Sequence, residues 1–441
     1  MQRPLKKTIE IVNAISPSFC AAKWYNATIW LGNGRTASCH LPPAHSIPLE
    51  SIASNPSALH NTAYKKEKRK EMLDGIRCDE CAYCWTVEDK RDTEVYSDRA
   101  YKSHVYSEND INLLKEIGLT DVDPKTLEIS FDNLCNLSCS YCNAEFSSTW
   151  ATDIKENGLY PTTNTPGGGT FRNAGEHALP FGNKNENNPY VDAFFKWFHA
   201  SLKDNLTELR VTGGEPTRSP WFWKLLDECE NTKFDFAVNS NLIMDQSRMN
   251  KLIESSKKFK TFDLYTSCES YGEHAEFVRS GLDYEQWRNN LVQFSNDGHY
   301  RMIHIMMTIS ALSIWTITEF MSDILELRKH SRSRQFHMSV NILRYPSFQN
   351  INVLPKELKL SQAAKISNWL NAASGLSEFE RNQIERLVTY LTTVDRSYED
   401  TDSQENKLKD FAVFTKEYAA RRNKNISTVF PTEFNDWFIT L

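Results

Sequence analysis

Cys135, Cys139 and Cys142 fall in one short stretch, Leu134-Cys-Asn-Leu-Ser-Cys-Ser-Tyr-Cys-Asn143. The stretch follows an alternating run, Leu127 to Phe131, that reads as a strand. Three thiolates on one loop can converge on one metal centre, and three ligands suit a four-iron cube with one iron left open. An open iron is a place for substrate or cofactor, so the spacing points to catalysis. A structural zinc loop would want a fourth Cys or His close by; the next histidine is His177, in a polar stretch.

Two further turns end downstream strands. In Val211-Thr-Gly-Gly-Glu-Pro216, two glycines let the backbone approach a ligand, proline fixes the exit, and Glu215 presents a carboxylate. Val238-Asn-Ser-Asn-Leu242 supplies Asn239, Ser240 and Asn241, able to hydrogen-bond cofactor hydroxyls or to make a polar turn.

The C-x3-C-x2-C loop, with Tyr141 before its third cysteine, resembles the cluster-binding loop of the radical S-adenosylmethionine (radical SAM) superfamily. The resemblance implies that the open iron takes the amine and carboxylate of S-adenosylmethionine. One electron then cleaves the sulfonium and releases a 5′-deoxyadenosyl radical that abstracts hydrogen from an unreactive carbon. Gly213, Gly214, Glu215 and Pro216 match the family's Gly-Gly-Glu-Pro motif, which binds the cofactor amine. Asn239, Ser240 and Asn241 stand where many members carry Thr-Asn-Gly. In Tyr265-Thr-Ser-Cys-Glu-Ser270, Ser267 and Glu269 match a Ser-x-Asp/Glu pattern. Arg279 resembles an arginine that pairs with the cofactor carboxylate; a surface salt bridge is the alternative. Thr308 and Ser310 are weaker candidates, and no catalytic side chain is assigned.

The elements that must position these residues alternate. Strand-like runs are Leu127–Phe131, Glu208–Val211, Phe234–Val238, Phe262–Tyr265, Met302–Ile309 and Phe336–Ile342. Helical patterns between them include Trp221–Glu230, Ser247–Ser255, Tyr284–Phe294 and Ile317–Lys329. The expected fold class is α/β: a partial (β/α)6 radical SAM barrel over residues 121–355, with reactive groups at the C-terminal strand ends. A long Gly/Asn/Thr/Pro-rich insert, 157–189, reads equally as lid or bland loop. Residues 356–441 read as a helical cap: Ser361–Ala373, Ser377–Thr393 and Asn406–Arg422.

Residues 1–120 carry a second cysteine group. Cys20 precedes a hairpin, Ala27–Leu31 and Arg35–Cys39, with Asn33-Gly34 as the turn; the hairpin brings Cys39 back toward Cys20. Cys78, Cys81 and Cys84 follow. C-x13-G-x4-C, from Cys20 through Gly34 to Cys39, resembles the opening of SPASM and twitch domains, which carry auxiliary iron–sulfur clusters. Cys81-x2-Cys84-Trp85-x2-Glu88, with Ser97 and Arg99, looks like twitch-containing radical SAM proteins of phage type, as does Asn341–Pro346 followed by Leu354-Pro355. The resemblance implies a small cysteine-rich twitch-like domain. Five cysteines compete for four positions; Cys20, Cys39, Cys81 and Cys84 are favoured, with Cys78 spare or substituting. A structural zinc site remains the alternative.

Whole-chain properties set bounds. The 441 residues suffice for two or three domains. Net charge is −6, which leaves no global basic field for nucleic acid; the run Lys65–Lys70 reads as a solvated helix face. No apolar stretch reaches membrane-spanning length, and a cytoplasmic location is expected by default. Cys229 and Cys268 stand apart; the other eight cysteines are grouped for metal in a reducing compartment. The resemblance adds an electron donor of flavodoxin or ferredoxin type and a peptide or protein substrate. The rival readings are a non-catalytic iron–sulfur or zinc protein that binds a partner, and a radical enzyme acting on a small molecule or nucleic acid.

Overall fold

Alternating apolar residues build the strands, in chain order β1 (Asn26–Trp30), β2 (Arg35–Ala37), β3 (His45–Ser46), β4 (Thr126–Ser130), β5 (Ser138–Cys139), β6 (Glu208–Thr212), β7 (Asp235–Ser240), β8 (Thr261–Ser267), β9 (Arg279–Ser280), β10 (Met302–Ile309) and β11 (Phe336–Ile342). The structure, a computed structural model, describes residues 3–90, 95–162, 165, 168–171, 187–331, 336–393 and 403–441. Its chain divides into two compact units. In their described parts, one holds Met1–Asp132, Pro180–Gly213 and Cys229–Phe236, and the other holds Asn133–Leu179, Gly214–Glu228 and Ala237–Leu441.

In the first unit the strand order is β6-β4-β1-β2-β3. The hairpin read from the sequence is present, with Thr28 opposite Ala37. Its connection is Leu31 to Gly34, two residues longer than the Asn33-Gly34 turn expected. Gly34 sits at φ +62°, and a Cβ there would lie 2.2 Å from the Tyr190 ring, so only glycine fits. More consequential is that β1 also pairs in parallel with β4, Asn26 with Thr126 through Trp30 with Ser130. The first unit therefore runs past the boundary expected at residue 120. Its core joins Val12, Phe19, Trp24, Tyr25, Met72, Trp85, Ile111 and Leu114, each large apolar side chain contributing about 1.5–3 kcal/mol on burial.

The run Lys65–Lys70 lies on the helix Ala63–Leu73 but is not a solvated face throughout. Lys65 and Arg69 are fully buried. Lys65 Nζ donates to Thr36 Oγ1 and Ala37 O, and Arg69 donates to Lys23 O and Asn61 Oδ1. Burial, with Arg69 and Lys23 nearby, pushes the Lys65 pKa well below its ordinary value, and backbone carbonyls and neutral side chains satisfy the donors of both groups. Lys66, Lys68 and Lys70 pair with Asp121, Glu71 and Asp74.

In the second unit β8, β10 and β11 run parallel in that order. Along β10 burial alternates strictly. Ile303, Ile305, Met307 and Ile309 are buried, and the same side of the sheet meets the helix Tyr284–Asp297, where Trp287 Nε1 donates to Thr266 Oγ1 at 2.9 Å. The other side presents Tyr265, Ser267, His304, Met306, Thr308, His337 and Ser339, all partly exposed. Parallel sheets are ordinarily covered on both faces, so an open polar face marks a place for a ligand. The expected helices of the tail form as Lys356–Ala372, Glu378–Thr392 and Gln404–Arg421. Most of the 157–189 insert lies outside the described residues. Of those described, Tyr160 and Phe171 are buried against Trp150 and Phe414.

Candidate metal and cofactor site

The three-cysteine loop is held from several sides, all within the second unit. Ser138 and Cys139 form the short strand β5, antiparallel to β9, with Cys139 opposite Arg279. Trp150 Nε1 donates to Cys139 O at 2.9 Å. Tyr418 Oη, from the helix Gln404–Arg421, donates to Ser138 O at 2.8 Å and accepts from Ser280 N–H at 3.3 Å. Gln349 Nε2 donates to Ser140 O at 2.8 Å. Cys139 is buried, and Cys135 and Cys142 are half-buried.

Burial raises the pKa of all three thiols, that of Cys135 to about 12. Thiols raised by burial become thiolates when a metal supplies the opposing charge. Among the described residues no three His, Cys, Asp or Glu side chains stand close enough to hold a single metal ion. A four-iron cube takes its thiolates at separate corners, so its ligands stand wider apart than those of one ion. Three soft sulfurs on one loop fit that donor set.

Two polar networks clasp the loop. The first centres on Glu269, buried at 1% exposure. Its carboxylate takes Arg279 Nε at 3.0 Å and Nη2 at 2.7 Å, and the Tyr141 hydroxyl at 3.1 Å. Arg279 Nη1 reaches Cys139 Sγ at 3.7 Å, and its guanidinium lies 5.5 Å from the Tyr141 ring centroid. Burial works against the charged guanidinium; Glu269, Tyr141 and Cys139 outweigh it, so Arg279 stays charged. The surface salt bridge considered for Arg279 is thereby corrected: the pair is buried, where the charge is kept by a bidentate partner.

The second network centres on Glu215, also buried at 1% exposure. Its carboxylate accepts from Thr217 N at 3.1 Å, Thr217 Oγ1 at 2.7 Å, Ser240 Oγ at 2.8 Å and Asn241 N at 2.6 Å. Burial pushes this carboxyl up and those donors pull it back, leaving it raised on balance. Rather than standing open at the mouth as the sequence suggested, Glu215 braces the β7 exit. Asn241 Nδ2 in turn donates to Asn136 Oδ1 at 2.9 Å inside the cysteine loop. Gly214 lies against the backbone of the cysteine loop: a Cβ there would fall 2.5 Å from Leu134 O. Gly213 has φ +134°, and its Cβ would lie 2.8 Å from Ser130 Oγ. Pro216 opens a buried turn, Pro216–Arg218.

Asn239 and Ser267 join neither network among the bonds described. The Asn239 Oδ1 is buried without a hydrogen-bond partner, and Ser267 lies on the open face. Thr308 faces that side too, whereas Ser310 is buried and bonds Ser313. Cys268 is buried with its thiol on Ser270 O, and Cys229 is buried just past the helix Pro220–Glu228. The sequence reading missed Trp150, and it missed Tyr418 and Gln349, whose partners lie far along the chain. It also missed a row on the open face: Tyr265 and His304 stack at 4.2 Å and 8°, with His337 next at 6.4 Å. Period-two alternation with histidine on the polar side of β10 was the available signal.

The amino-terminal cysteines lie in the first unit. Cys20, Cys39, Cys81 and Cys84 line one cavity with Lys23, Arg99 and Lys102. Cys78 is buried elsewhere, its thiol 3.5 Å from Lys68 O. Burial raises the pKa of Cys39, Cys81 and Cys84, that of Cys84 to about 11 and that of Cys81 to about 12. The motif residues after Cys84 come together: Arg99 Nε and Nη2 grip Glu88 at 2.8 and 2.9 Å, Ser97 bonds the same carboxylate, and Trp85 Nε1 donates to Cys78 O at 2.8 Å.

No family model and no curated protein matches the chain. Among solved structures, Streptococcus suis SuiB bound to S-adenosylmethionine aligns at 15% identity and a TM-score of 0.38, covering 80% of this chain and 72% of that one. SuiB bound to precursor peptide SuiA aligns at 12% identity and a TM-score of 0.35, covering 79% and 69%. The protein anSMEcpe with bound AdoMet aligns at 14% identity and a TM-score of 0.33, covering 55% and 60%. Likeness at these scores carries no weight for activity.

Proposed function

We propose that the chain is a radical SAM enzyme. The observation that carries this is the buried three-cysteine loop, clasped by the Glu269–Arg279 and Glu215–Asn241 networks at the ends of parallel strands. When bound at a four-iron cluster, S-adenosylmethionine supplies on one-electron reduction the radical that abstracts hydrogen from substrate. In this reading Cys135, Cys139 and Cys142 hold the cluster. Arg279 keeps a positive charge beside Cys139, where it offsets thiolate charge and repels loss of the cluster to water. Gly214 lets its turn pack against the cysteine-loop backbone, and Glu215 fixes the strand exits rather than meeting the cofactor amine by itself. Asn239, with its unmatched Oδ1, and Ser267 are the side chains left to meet cofactor hydroxyls.

The substrate lies, in this account, on the open face bearing Tyr265, Ser267, His304, Met306 and His337. Tyr265, Ser267, His304 and His337 are hydrogen-bonding groups with no Lys or Arg among them, which favours a peptide or protein segment over a phosphorylated molecule. Residues 1–120 act as a twitch-like domain whose Cys20, Cys39, Cys81 and Cys84 hold an auxiliary iron–sulfur cluster, and residues 356–441 cap the barrel of 121–355. A flavodoxin- or ferredoxin-like donor supplies electrons.

The test is anaerobic reconstitution with iron and sulfide, then reduction in the presence of S-adenosylmethionine. Formation of 5′-deoxyadenosine by the native chain, and its loss in Cys139→Ala, is the expected result. Cleavage retained in Cys139→Ala, or absent from the iron-loaded native chain, contradicts the proposal.

A further inference from the structure

We propose that Lys23 is the charge partner of the amino-terminal metal–thiolate group and sets that group's reduction potential. The inference rests on reading Cys20, Cys39, Cys81 and Cys84 as a metal site. Lys23 is 3% exposed and lines the same cavity as those four sulfurs. Its ammonium has three N–H donors. One goes to Glu80 Oε1, and the other Glu80 oxygen is occupied by the Tyr64 hydroxyl at 2.7 Å. Among the described residues no second acceptor stands at Lys23 Nζ, although a buried ammonium costs several kcal/mol unless its donors are met.

In this proposal the occupant of the cavity supplies the missing acceptors. Three cations, Lys23, Arg99 and Lys102, face it against a single carboxylate, Asp98. Arg99 is neutralised by Glu88. With Lys23 paired to Glu80 and Lys102 facing Asp98, no charge excess remains, and the case for an anionic occupant rests on the Lys23 N–H donors left unmet. Thiolates at the corners of a four-iron cluster are acceptors of that kind. The Lys23–Glu80 ion pair borders the cysteine cavity, because Lys23 lies on the short helix Ala22–Tyr25 just after Cys20 and Glu80 immediately precedes Cys81. A cation in that position stabilises the more negative, reduced form of an iron–sulfur cluster and so raises its potential.

The test uses the full chain carrying Cys135→Ala, Cys139→Ala and Cys142→Ala, reconstituted with iron and sulfide, so that the amino-terminal cluster alone is titrated by electron paramagnetic resonance. Lys23→Met is expected to keep its iron and to move the midpoint potential down, with Lys23→Arg staying near the parent. Glu80→Gln, which frees the ammonium toward the thiolates, is expected to move the midpoint up. Midpoints unchanged in iron-loaded Lys23→Met and Glu80→Gln overturn the proposal. If Lys23→Met fails to hold iron, Glu80→Gln decides by the same criterion. If the parent takes zinc instead of iron, the auxiliary iron–sulfur reading fails and the charge claim is read by chelator competition. Zinc affinity falling about tenfold in Lys23→Met then supports it, and unchanged affinity overturns it. A parent that binds neither metal contradicts both readings.

Discussion

Arg279 stands directly opposite Cys139 across the β5–β9 ladder, its Nη1 3.7 Å from the thiol and its other nitrogens on the buried Glu269 carboxylate. The charge beside the cluster loop is therefore fixed by a partner that is itself held by Tyr141. Removing the cation leaves Glu269 buried and unpaired, a loss of about 3–5 kcal/mol. Arg279→Met should lower the melting temperature of the metal-free chain and the iron taken up on reconstitution. Arg279→Lys should recover only part of each, since an ammonium cannot make the bidentate contact. An Arg279→Met chain with native stability and iron content would remove this residue from the account.

Gly214→Ala tests the close approach. Its Cβ would fall 2.5 Å from Leu134 O and 2.7 Å from Asn133 O, backbone atoms that cannot move without shifting Cys135. The expected result is loss of S-adenosylmethionine binding, measured by calorimetry on the iron-loaded chain. Unaltered affinity would show that the loop tolerates the shift.

Tyr418→Phe tests the support from the helix Gln404–Arg421. The hydroxyl serves Ser138 O and Ser280 N, and leaving those buried groups unsatisfied costs about 1–3 kcal/mol. The variant should fold, show reduced stability by chemical denaturation, and release its cluster faster to a chelator. Release at the native rate would limit the helix to a covering role.

A pH dependence follows from Glu380. Burial pushes its carboxyl up, but Arg328 and the N–H groups of Met338 and Ser377 outweigh this, so it titrates below its ordinary value. A depressed pKa means that the ionised group stabilises the fold at neutral pH. That stability is lost as pH falls below the unfolded value of about 4.3 and through the folded one. The gap in melting temperature between the native chain and Glu380→Gln should be largest near neutrality and close on acidification. A gap independent of pH would exclude the carboxylate as its source.

The strands of the expected barrel were legible because their signal is local. Met302–Ile309 and Phe336–Ile342 alternate with period two, and both form with those bounds. The cysteine loop and the glycine turn were legible for the same reason: spacing within a few residues carries their chemistry. What escaped is pairing at long range. Nothing near Asn26 announces that β1 will lie beside β4, and nothing near Tyr418 announces Ser138. The burial of Lys65 and Arg69 also escaped, because a basic run looks solvated unless its acceptors, Thr36 and Asn61 among them, are known to surround it. Glu215 illustrates a finer limit. Its motif marks the right turn, but the sequence shows only a carboxylate at a mouth, whereas Ser240 and Asn241 turn it inward as a brace.

The central claim is that Cys135, Cys139 and Cys142 hold a cluster distinct from that of the amino-terminal cysteines. The measurement that tests it most directly is iron per chain after anaerobic reconstitution, on the native chain and on the variant with all three replaced by alanine. The account predicts about eight irons falling to about four. Iron unchanged by the triple replacement, or no iron in the native chain, would contradict it.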